Sequence, residues 1–295
     1  MTLRMPLRWN LAFTAASVLL LGTPAFAADN AAITRGAYLA IAADCGACHT
    51  DKKAGGAPLA GGPALKTDFG TFYGPNITPD KQTGIGNWTE DQFKRALRSG
   101  INEHGSYMFP VFPFTSFTNL TDADAGDLYA YLQSVPAVTH RAPHNDVKFP
   151  FGWRPLLAGW RMLLFKPGPL APVEGQSAEW NRGRYLVEAV AHCQECHTPR
   201  NLLGALDKGH AYAGNPNGPD GQDAPDITSD SKDGIGDWKP EDLVELLKTG
   251  STPDGDMVGK GMSDVVDGTG KLTDTDLHAI AVYIKSLPAL AQTPK

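Results

Sequence analysis

The sequence predicts a mostly α fold made of two tandem copies of one small domain, joined by loops rich in glycine and proline. The main observation is an internal repeat about half a chain long. Two pairs of segments show it: Pro75-Asn76-Ile77-Thr78 with Pro225-Asp226-Ile227-Thr228, and Gly84-Ile85-Gly86-Asn87-Trp88 with Gly234-Ile235-Gly236-Asp237-Trp238. The second observation is composition: the 295 residues include 32 glycines and 23 prolines, which mark turns and loops.

Short helices are predicted at matching places in both halves. The apolar segment 36–44 follows the repeated sequence Arg-Gly-x-Tyr-Leu, which begins at Arg35 and again at Arg182. Later helices are bounded by capping, first-turn and stop residues: Thr89, Gly100 and Thr121 in the first half, and Pro240, Gly250 and Thr273 in the second. Thr121 and Thr273 each begin Thr-x-x-Asp, which resembles a capping box. Because loops rich in glycine and proline separate these helices, they are poorly suited to form a bundle with its own core. We therefore expect a large flat cofactor to supply the apolar centre of each half.

All four cysteines lie in two Cys-x-x-Cys-His motifs, Cys45–His49 and Cys193–His197. This spacing is the attachment signature of c-type haem, with the histidine as proximal iron ligand. A thioredoxin-like dithiol does not need the histidine, a zinc site expects the second pair nearer, and two disulfides would not explain both histidines. We therefore expect two covalently attached haem c groups, held by Cys45, Cys48, Cys193 and Cys196, with His49 and His197 on iron.

With these motifs in place, each half resembles a class I cytochrome c domain. The whole chain resembles two-haem relatives of the multihaem cytochrome subunits of membrane-bound alcohol, sugar and gluconate dehydrogenases. Besides the repeated segments, Phe109–Phe114 and Leu128–Leu132 carry this resemblance. It implies an electron-transfer protein rather than an enzyme, receiving electrons from a periplasmic dehydrogenase and passing them to another cytochrome or a terminal oxidase of the respiratory chain. Those subunits usually add a third haem domain and a membrane-binding tail, which we do not expect here.

A sixth iron ligand is expected near the end of the second half. Met262 matches the position of the family's axial methionine, and it lies in what the sequence predicts to be a glycine-rich loop. Methionine sulfur closes the iron of a carrier and raises its potential. Met257 is the alternative ligand, and a core-filling role for Met262 is the other interpretation.

The corresponding loop of the first half offers different residues as ligands. Related sequences often have methionine where this chain has Phe112, and phenylalanine cannot bind iron. Met108 lies four residues earlier in the same loop and is the ligand we expect. His104, which would give a lower potential, and an open iron are the alternatives.

Trp88 and Trp238 occupy matching places in the repeat. Each indole N–H would serve as a donor to a haem propionate, since buried tryptophans usually have a hydrogen-bond partner. The other interpretation is core packing at the start of a helix.

Residues 1–27 are predicted to be a secretory signal peptide. Arg4 and Arg8 precede the apolar run 11–21, and Ala25-Phe26-Ala27 is a small-x-small cleavage signal. The alternative is an uncleaved anchor, but the run is shorter than the roughly 18–20 residues of a spanning helix. Export together with covalent haem attachment predicts the periplasm.

The net charge of the chain indicates which class of partner is not expected. Without Arg4 and Arg8 the chain has 24 basic and 32 acidic residues, a net charge of −8. Nucleic acid is therefore not expected as a partner, because phosphate binding requires basic patches.

The predicted domains are 28–140 and 177–295, separated by an interdomain segment, 141–176. Aromatic and aliphatic residues interspersed with Arg154, Arg161 and Lys166 fill its part 149–166. One interpretation is a helix packed between the domains that covers haem edges. The other is a docking surface for a dehydrogenase or a peripheral membrane contact.

The alternative function is a di-haem redox enzyme. A thiosulfate-oxidising cytochrome often uses cysteine as a haem ligand, and no cysteine remains here for that role. A peroxidase-like enzyme needs one open iron. The first iron could be open because Phe112, which cannot bind iron, stands where related sequences often have methionine.

Overall fold

The structure, a computed structural model, describes residues 1–2, 25–218 and 221–290. Its helices are α1 (Ala25–Ala42), α2 (Cys45–His49), α3 (Glu90–Ser99), α4 (Phe114–Phe117), α5 (Asp122–Ser134), α6 (Arg154–Leu164), α7 (Ala178–Tyr185), α8 (Gln194–His197), α9 (Pro240–Thr249), α10 (Lys260–Thr269) and α11 (Asp274–Lys285). A π-helical turn, Leu186–Val190, continues α7, and Lys208–His210 form a 3-10 turn. The predicted mostly α fold is confirmed, whereas most of the predicted signal peptide lies outside the described residues.

The described strands are two to four residues long, and their pairing holds loops together. In the first half β1 (Ala64–Thr67), β2 (Gly70–Tyr73) and β3 (Asp146–Val147) form an antiparallel sheet in that order. In the second half β4 (Ala213–Asn215) pairs antiparallel with β5 (Ala224–Asp226). Because β3 comes from the interdomain segment, that segment is tied to the first half by its backbone.

In each half the first and last helices cross at a glycine. A Cβ added to Gly36 of α1 would lie 1.9 Å from the Asp127 carbonyl oxygen of α5. At the matching place, a Cβ added to Gly183 of α7 would lie 1.8 Å from the Ala279 carbonyl oxygen of α11. Only glycine permits backbones to approach this closely, so the repeated Arg-Gly-x-Tyr-Leu sequence specifies the helix crossing of each domain.

The helix ends follow the predicted capping signals with one difference. Thr89 and Gln92 form a reciprocal capping box, and Gly100 ends α3 in the left-handed region at φ 57°. Thr121 and Thr273 accept hydrogen bonds from the N–H groups of Asp124 and Asp276. The reciprocal bond of a capping box, from the aspartate side chain back to the threonine N–H, is not formed at either place, so that part of the prediction was wrong. Both aspartate side chains accept from a tyrosine of the opposite domain instead.

Two tyrosines join the domains reciprocally. The Tyr38 hydroxyl donates to Asp276 Oδ2 at 2.6 Å and accepts from the Thr273 N–H at 3.2 Å. The Tyr185 hydroxyl donates to Asp124 and accepts from the Thr121 N–H at 3.2 Å. Each domain therefore completes the start of the other domain's last helix, and we call these two contacts the tyrosine clasp.

The interdomain helix α6 lies against the first domain. Arg154 donates to the Tyr107 carbonyl oxygen at 2.6 Å, and the Arg161 guanidinium lies 4.6 Å from the centre of the Tyr107 ring. Trp160 Nε1 donates to the Leu203 carbonyl oxygen of the second domain at 2.8 Å. Within the described part of the chain, no helix has both the length and the apolar character needed to cross a membrane.

Candidate haem-binding sites

Both cysteine motifs begin at a sharp reversal of the chain. Asp44 (φ 47°) and His192 (φ 42°) adopt the left-handed conformation directly before the first cysteine. Among residues other than glycine, aspartate and histidine are enriched in this region. Each motif then forms a short helical turn, so its two cysteines, three positions apart, lie on one side. We call the Cys45–His49 motif the first site and the Cys193–His197 motif the second site.

The two histidines are oriented by the same backbone contact. His49 Nδ1 lies 2.7 Å from the Pro75 carbonyl oxygen, and His197 Nδ1 lies 2.8 Å from the Pro225 carbonyl oxygen. A proton on Nδ1 leaves Nε2 with a lone pair for a metal. Burial lowers the pKa of both imidazoles, which favours the neutral ligand form. The residues present therefore fit a haem bound to histidine at both sites.

The cysteines lack the properties of an activated redox pair. Burial raises the pKa of Cys45 and of Cys193 to about 12. Reactive cysteines have a lowered pKa, so these thiols suit covalent attachment of a cofactor better than dithiol exchange. Among the described residues there is also no group of three or more His, Cys, Asp or Glu side chains that could hold a metal ion.

Two glycines leave room for the first site. A Cβ added to Gly62 or Gly74 would lie 1.8 or 1.6 Å from the Cys48 carbonyl oxygen. Gly61, next to Gly62, binds the His49 carbonyl oxygen through its N–H at 2.9 Å. The loop before β1 and the end of β2 therefore pack directly on the attachment helix.

Met262 lies in the first turn of α10, half-buried and packed against the hydrophobic core. The prediction that a loop surrounds it was wrong: Gly259 adopts an extended conformation and α10 begins at Lys260. The alternative ligand Met257 is 67% exposed. Met262 is thus the more buried of the two methionines before the last helix.

The loop that follows α3 in the first half makes the same backbone hydrogen bond as the loop that follows α9 in the second half, but its residues differ. The Met108 N–H bonds to the Gly100 carbonyl oxygen at 2.8 Å, as the Val258 N–H does to Gly250 at 2.9 Å. Met108 therefore corresponds to Val258, and Phe112 corresponds to Met262. Pro113 disfavours helical backbone at Phe112, so α4 begins only at Phe114.

The remaining candidates of the first half differ in exposure. Met108 is half-buried, whereas the His104 side chain is 78% exposed with Nε2 3.3 Å from a Glu103 carboxylate oxygen. Phe112 packs against the core, 5.7 Å from Phe117 between ring centres. In this conformation Met108 is closer to the interior than His104.

Trp88 and Trp238 are both half-buried and packed against the core. The Trp88 carbonyl oxygen accepts a hydrogen bond from the Tyr129 hydroxyl at 2.7 Å. Packing of both rings is therefore evident, and the donor role of their indole N–H groups stays a prediction.

Some polar residues at these sites were missed by sequence reasoning. Glu195, inside the second motif, accepts from Ser116 Oγ of α4 at 2.8 Å and pairs with Arg200 at 2.5 Å. The Tyr212 hydroxyl is buried with no hydrogen-bond partner among the described residues. The contact of Glu195 with Ser116 carries no signal in the sequence, because the two residues are 79 positions apart. Tyr212 carries none either, since its match with Leu59 is seen only in the structure, where both adopt positive φ, at 65° and 62°.

The two sites lie near each other across the domain boundary. Burial, and then the charges of Glu195, Cys48 and Asp44 among its neighbours, raise the pKa of Cys196 to about 11. His192 Nε2 lies 3.3 Å from the Ala43 carbonyl oxygen, next to the first motif. Attachment residues of both domains therefore meet at one boundary.

Comparison with known proteins agrees with this geometry. The cytochrome c family matches residues 33–136, and the family described as cytochrome c oxidase, cbb3-type, subunit III matches residues 178–284. Both ranges contain one Cys-x-x-Cys-His motif each. Cytochrome c domains imply covalently bound haem c.

Three relatives cover most of this chain. A diheme cytochrome c-type protein of Cereibacter sphaeroides is 43% identical over 270 residues, which are 90% of this chain and 89% of that protein. The fructose dehydrogenase cytochrome subunit of Gluconobacter japonicus is 42% identical over 92% of this chain and 55% of its own length. The gluconate 2-dehydrogenase cytochrome c subunit of Pantoea cypripedii is 41% identical over 92% of this chain and 64% of its own length.

The chain thus spans less than two thirds of either dehydrogenase cytochrome and nearly all of the diheme protein. Cytochrome c subunits of dehydrogenases act in electron transfer and do not themselves carry out the catalysis. With its paired sites and its extent of similarity, the chain belongs to the c-type cytochromes, as a tandem of two cytochrome c domains related to the cytochrome subunits of dehydrogenases.

Proposed function

We propose that this chain is a periplasmic di-haem electron carrier, which accepts electrons from a dehydrogenase and passes them to another cytochrome or a terminal oxidase. The observation that carries the proposal is the repeated contact of a proximal histidine with a proline carbonyl oxygen, at 2.7 Å in the first site and 2.8 Å in the second. Bound haem c supplies an iron couple that takes up and releases one electron.

The side chains of each site have separate tasks in this proposal. Cys45 with Cys48, and Cys193 with Cys196, would hold the haem covalently, while His49 and His197 would each offer Nε2 to its iron. The carbonyl oxygens of Pro75 and Pro225 keep the imidazole rings from rotating and increase their basicity. Such support lowers the reorganisation that accompanies a change of charge at the metal.

The second site is proposed to be closed by Met262. Two observations support this role: Met262 is half-buried against the hydrophobic core, and it lies in the first turn of α10. At the first site Met108 is the proposed ligand, since His104 is exposed and Phe112 has no donor atom. Met108 and Met262 do not occupy equivalent places, so the two sites would differ in potential.

Transfer between the sites is supported by the domain boundary. The tyrosine clasp and the contact of Ser116 with Glu195 fix the two motifs relative to each other. A fixed short separation favours electron tunnelling, which falls steeply with distance. The dehydrogenase donor is proposed because the relatives are named as cytochrome subunits of fructose and gluconate dehydrogenases.

Near-infrared magnetic circular dichroism of the haem-loaded protein tests the ligands. Met262→Ala should remove the histidine–methionine charge-transfer band of the second site, because the other methionine of that segment, Met257, is 67% exposed. Met257→Ala is the matched control, five residues earlier and exposed, and should leave the band unchanged. If Met262→Ala also leaves it unchanged, the assignment of Met262 is wrong.

A di-haem enzyme is the second candidate, and the place of Phe112 favours it. Phenylalanine stands where the second half has Met262, which would leave the first iron open if Met108 did not bind. Carbon monoxide added to the reduced protein separates the two functions. A carrier should bind it slowly and weakly, whereas rapid stoichiometric binding together with peroxide turnover would support the enzyme.

A further inference from the structure

Apolar side chains face solvent along the segment that joins the two domains. They are Phe149, Trp153, Leu156, Met162 and Leu163, which are 93%, 62%, 41%, 81% and 74% exposed. We call this set the interdomain face. Single exposed apolar residues are common on proteins, but five of them within fifteen residues of chain indicate a contact site.

The interdomain face is held in place from behind. Within α6 itself, Leu157 is buried and Trp160 bonds to the second domain through its indole N–H. Arg161 lies between aromatic rings, 5.0 Å from the centre of Phe114 and 4.9 Å from that of Phe165. The apolar side chains are therefore presented by a fixed helix and not by a loose linker.

The second domain extends the same surface. Leu203, whose carbonyl oxygen accepts the Trp160 N–H, is exposed, and Leu202 beside it is almost fully so. The apolar surface thus continues from the segment between the domains to the loop that follows the second site.

Charge is distributed unevenly around this surface. Residues 147–173 contain four basic and no acidic residues, in a chain whose net charge is −6. Lys148, Arg154 and Lys166 are exposed beside the interdomain face, and the exposed Arg95 lines a groove next to it with Pro167. A locally positive surface on an acidic protein attracts an anionic surface.

We propose that the interdomain face binds an anionic lipid surface. Trp153, Phe149 and the aliphatic residues would enter the boundary between headgroups and acyl chains, as in interfacial helices. Lys148 and Lys166, at the two ends of the face, would reach headgroup phosphates with their long side chains. Lysine is depleted in protein–protein interfaces, so its position at both ends favours lipid over a protein partner. The contact is peripheral.

Binding there would place the first site close to the membrane. Arg154 bonds to the Tyr107 carbonyl oxygen at 2.6 Å, and its guanidinium lies 5.2 Å from the centre of the Phe109 ring. Tyr107 and Phe109 flank Met108, the proposed ligand of the first iron. A membrane-bound electron partner would therefore meet the first site before the second.

Vesicle flotation with the exported, haem-loaded protein tests the proposal. The vesicles contain phosphatidylethanolamine with or without phosphatidylglycerol. The wild-type protein should float with the anionic vesicles, and added salt should weaken binding. Met162→Ser with Leu163→Ser should reduce binding by about tenfold or more, because two exposed apolar side chains lose their burial in lipid. Val173→Ser, an exposed apolar residue outside the face, is the control.

A charge pair completes the test. Lys148→Glu with Lys166→Glu should weaken binding to anionic vesicles, whereas Lys53→Glu with Lys81→Glu changes the net charge equally and should not. Equal binding by the apolar double variant and the wild type would overturn the proposal, as would failure of the wild type to bind. A dimer in light scattering that the apolar variant abolishes, without vesicle binding, would assign the face to a second copy instead. Unchanged haem absorbance shows that each variant is folded.

Discussion

Replacing both tyrosines of the clasp by phenylalanine should uncouple the two domains without unfolding either of them. Each hydroxyl donates to a carboxylate of the other domain and accepts a backbone N–H at the start of a helix. Burial raises the pKa of Tyr38 and of Tyr185, so both hydroxyls stay protonated donors at neutral pH. Phenylalanine keeps the ring and removes only these bonds.

The expected cost follows from what remains after the change. A hydrogen bond to a charged group contributes about 1.5–3 kcal/mol net. Asp276 keeps two bonds from Arg182, at 2.9 and 2.8 Å, and half-buried Asp124 can be hydrated. We therefore expect the lower part of the range, about 1.5–2 kcal/mol for each tyrosine and about 3–4 kcal/mol for the pair.

Denaturant unfolding followed by absorbance of the haem groups measures this coupling. With the clasp intact the domains should unfold together, whereas Tyr38→Phe with Tyr185→Phe should give two transitions or a smaller slope. Tyr73→Phe, on strand β2 of the first domain, controls for loss of a tyrosine hydroxyl. The reasoning is refuted if the double variant unfolds at the same midpoint and with the same slope as the wild type.

Two further predictions concern the helix crossing and a buried carboxylate. Gly183→Ala should cost about 3 kcal/mol or more in thermal unfolding, because its Cβ would lie 1.8 Å from the Ala279 carbonyl oxygen. Gly159→Ala, in a helix with open space around it, should be neutral or stabilising, and equal effects of the two would contradict the crossing argument. Burial, and then Asp264, raise the pKa of Asp44 from 3.8 to about 6, so the fold binds this proton more tightly than the unfolded chain does. Stability should therefore fall as pH rises between these values, and Asp44→Asn should gain about 1–2 kcal/mol near pH 7 but nothing near pH 4. Melting curves at both pH values check this, and a gain that is the same at both would contradict it.

Local signals in the sequence predicted much of each domain. The cysteine motifs depend on fixed spacing, the Thr89 box and the Gly100 stop depend on neighbouring residues, and all of these lie within a few positions of each other. Such features are specified by the chain regardless of its tertiary context. The repeat added to the evidence, since the cysteine motif, Gly100 and Thr121 of the first half each had a partner in the second.

Features that depend on the other domain were not predictable in this way. Thr121 and Asp124 have the spacing of a capping box, yet Asp124 bonds to Tyr185, 61 residues later. The repeated Tyr38 and Tyr185 were visible in the sequence as part of Arg-Gly-x-Tyr-Leu, but nothing local showed that they cross the boundary. Met262 was expected in a loop because glycines surround it, and Gly259 instead stands just before a helix.

The two sites have repeated sequences, but the segments that hold their candidate methionine ligands differ in backbone structure. In the second half the residue directly after Met262 is Ser263 and not proline, so Met262 lies in a helix of ten residues. Asp264 of that helix lies close enough to Asp44 of the opposite domain to raise its pKa. In the first half Pro110 and Pro113 keep Phe112 out of helical backbone, and α6 fixes the loop through Arg154 and Arg161. The segment that presents the interdomain face is therefore the same one that holds Met108 in place. A contact made at that face would therefore bear on the first site through the loop of Met108, and it would meet the second domain at Leu202 and Leu203.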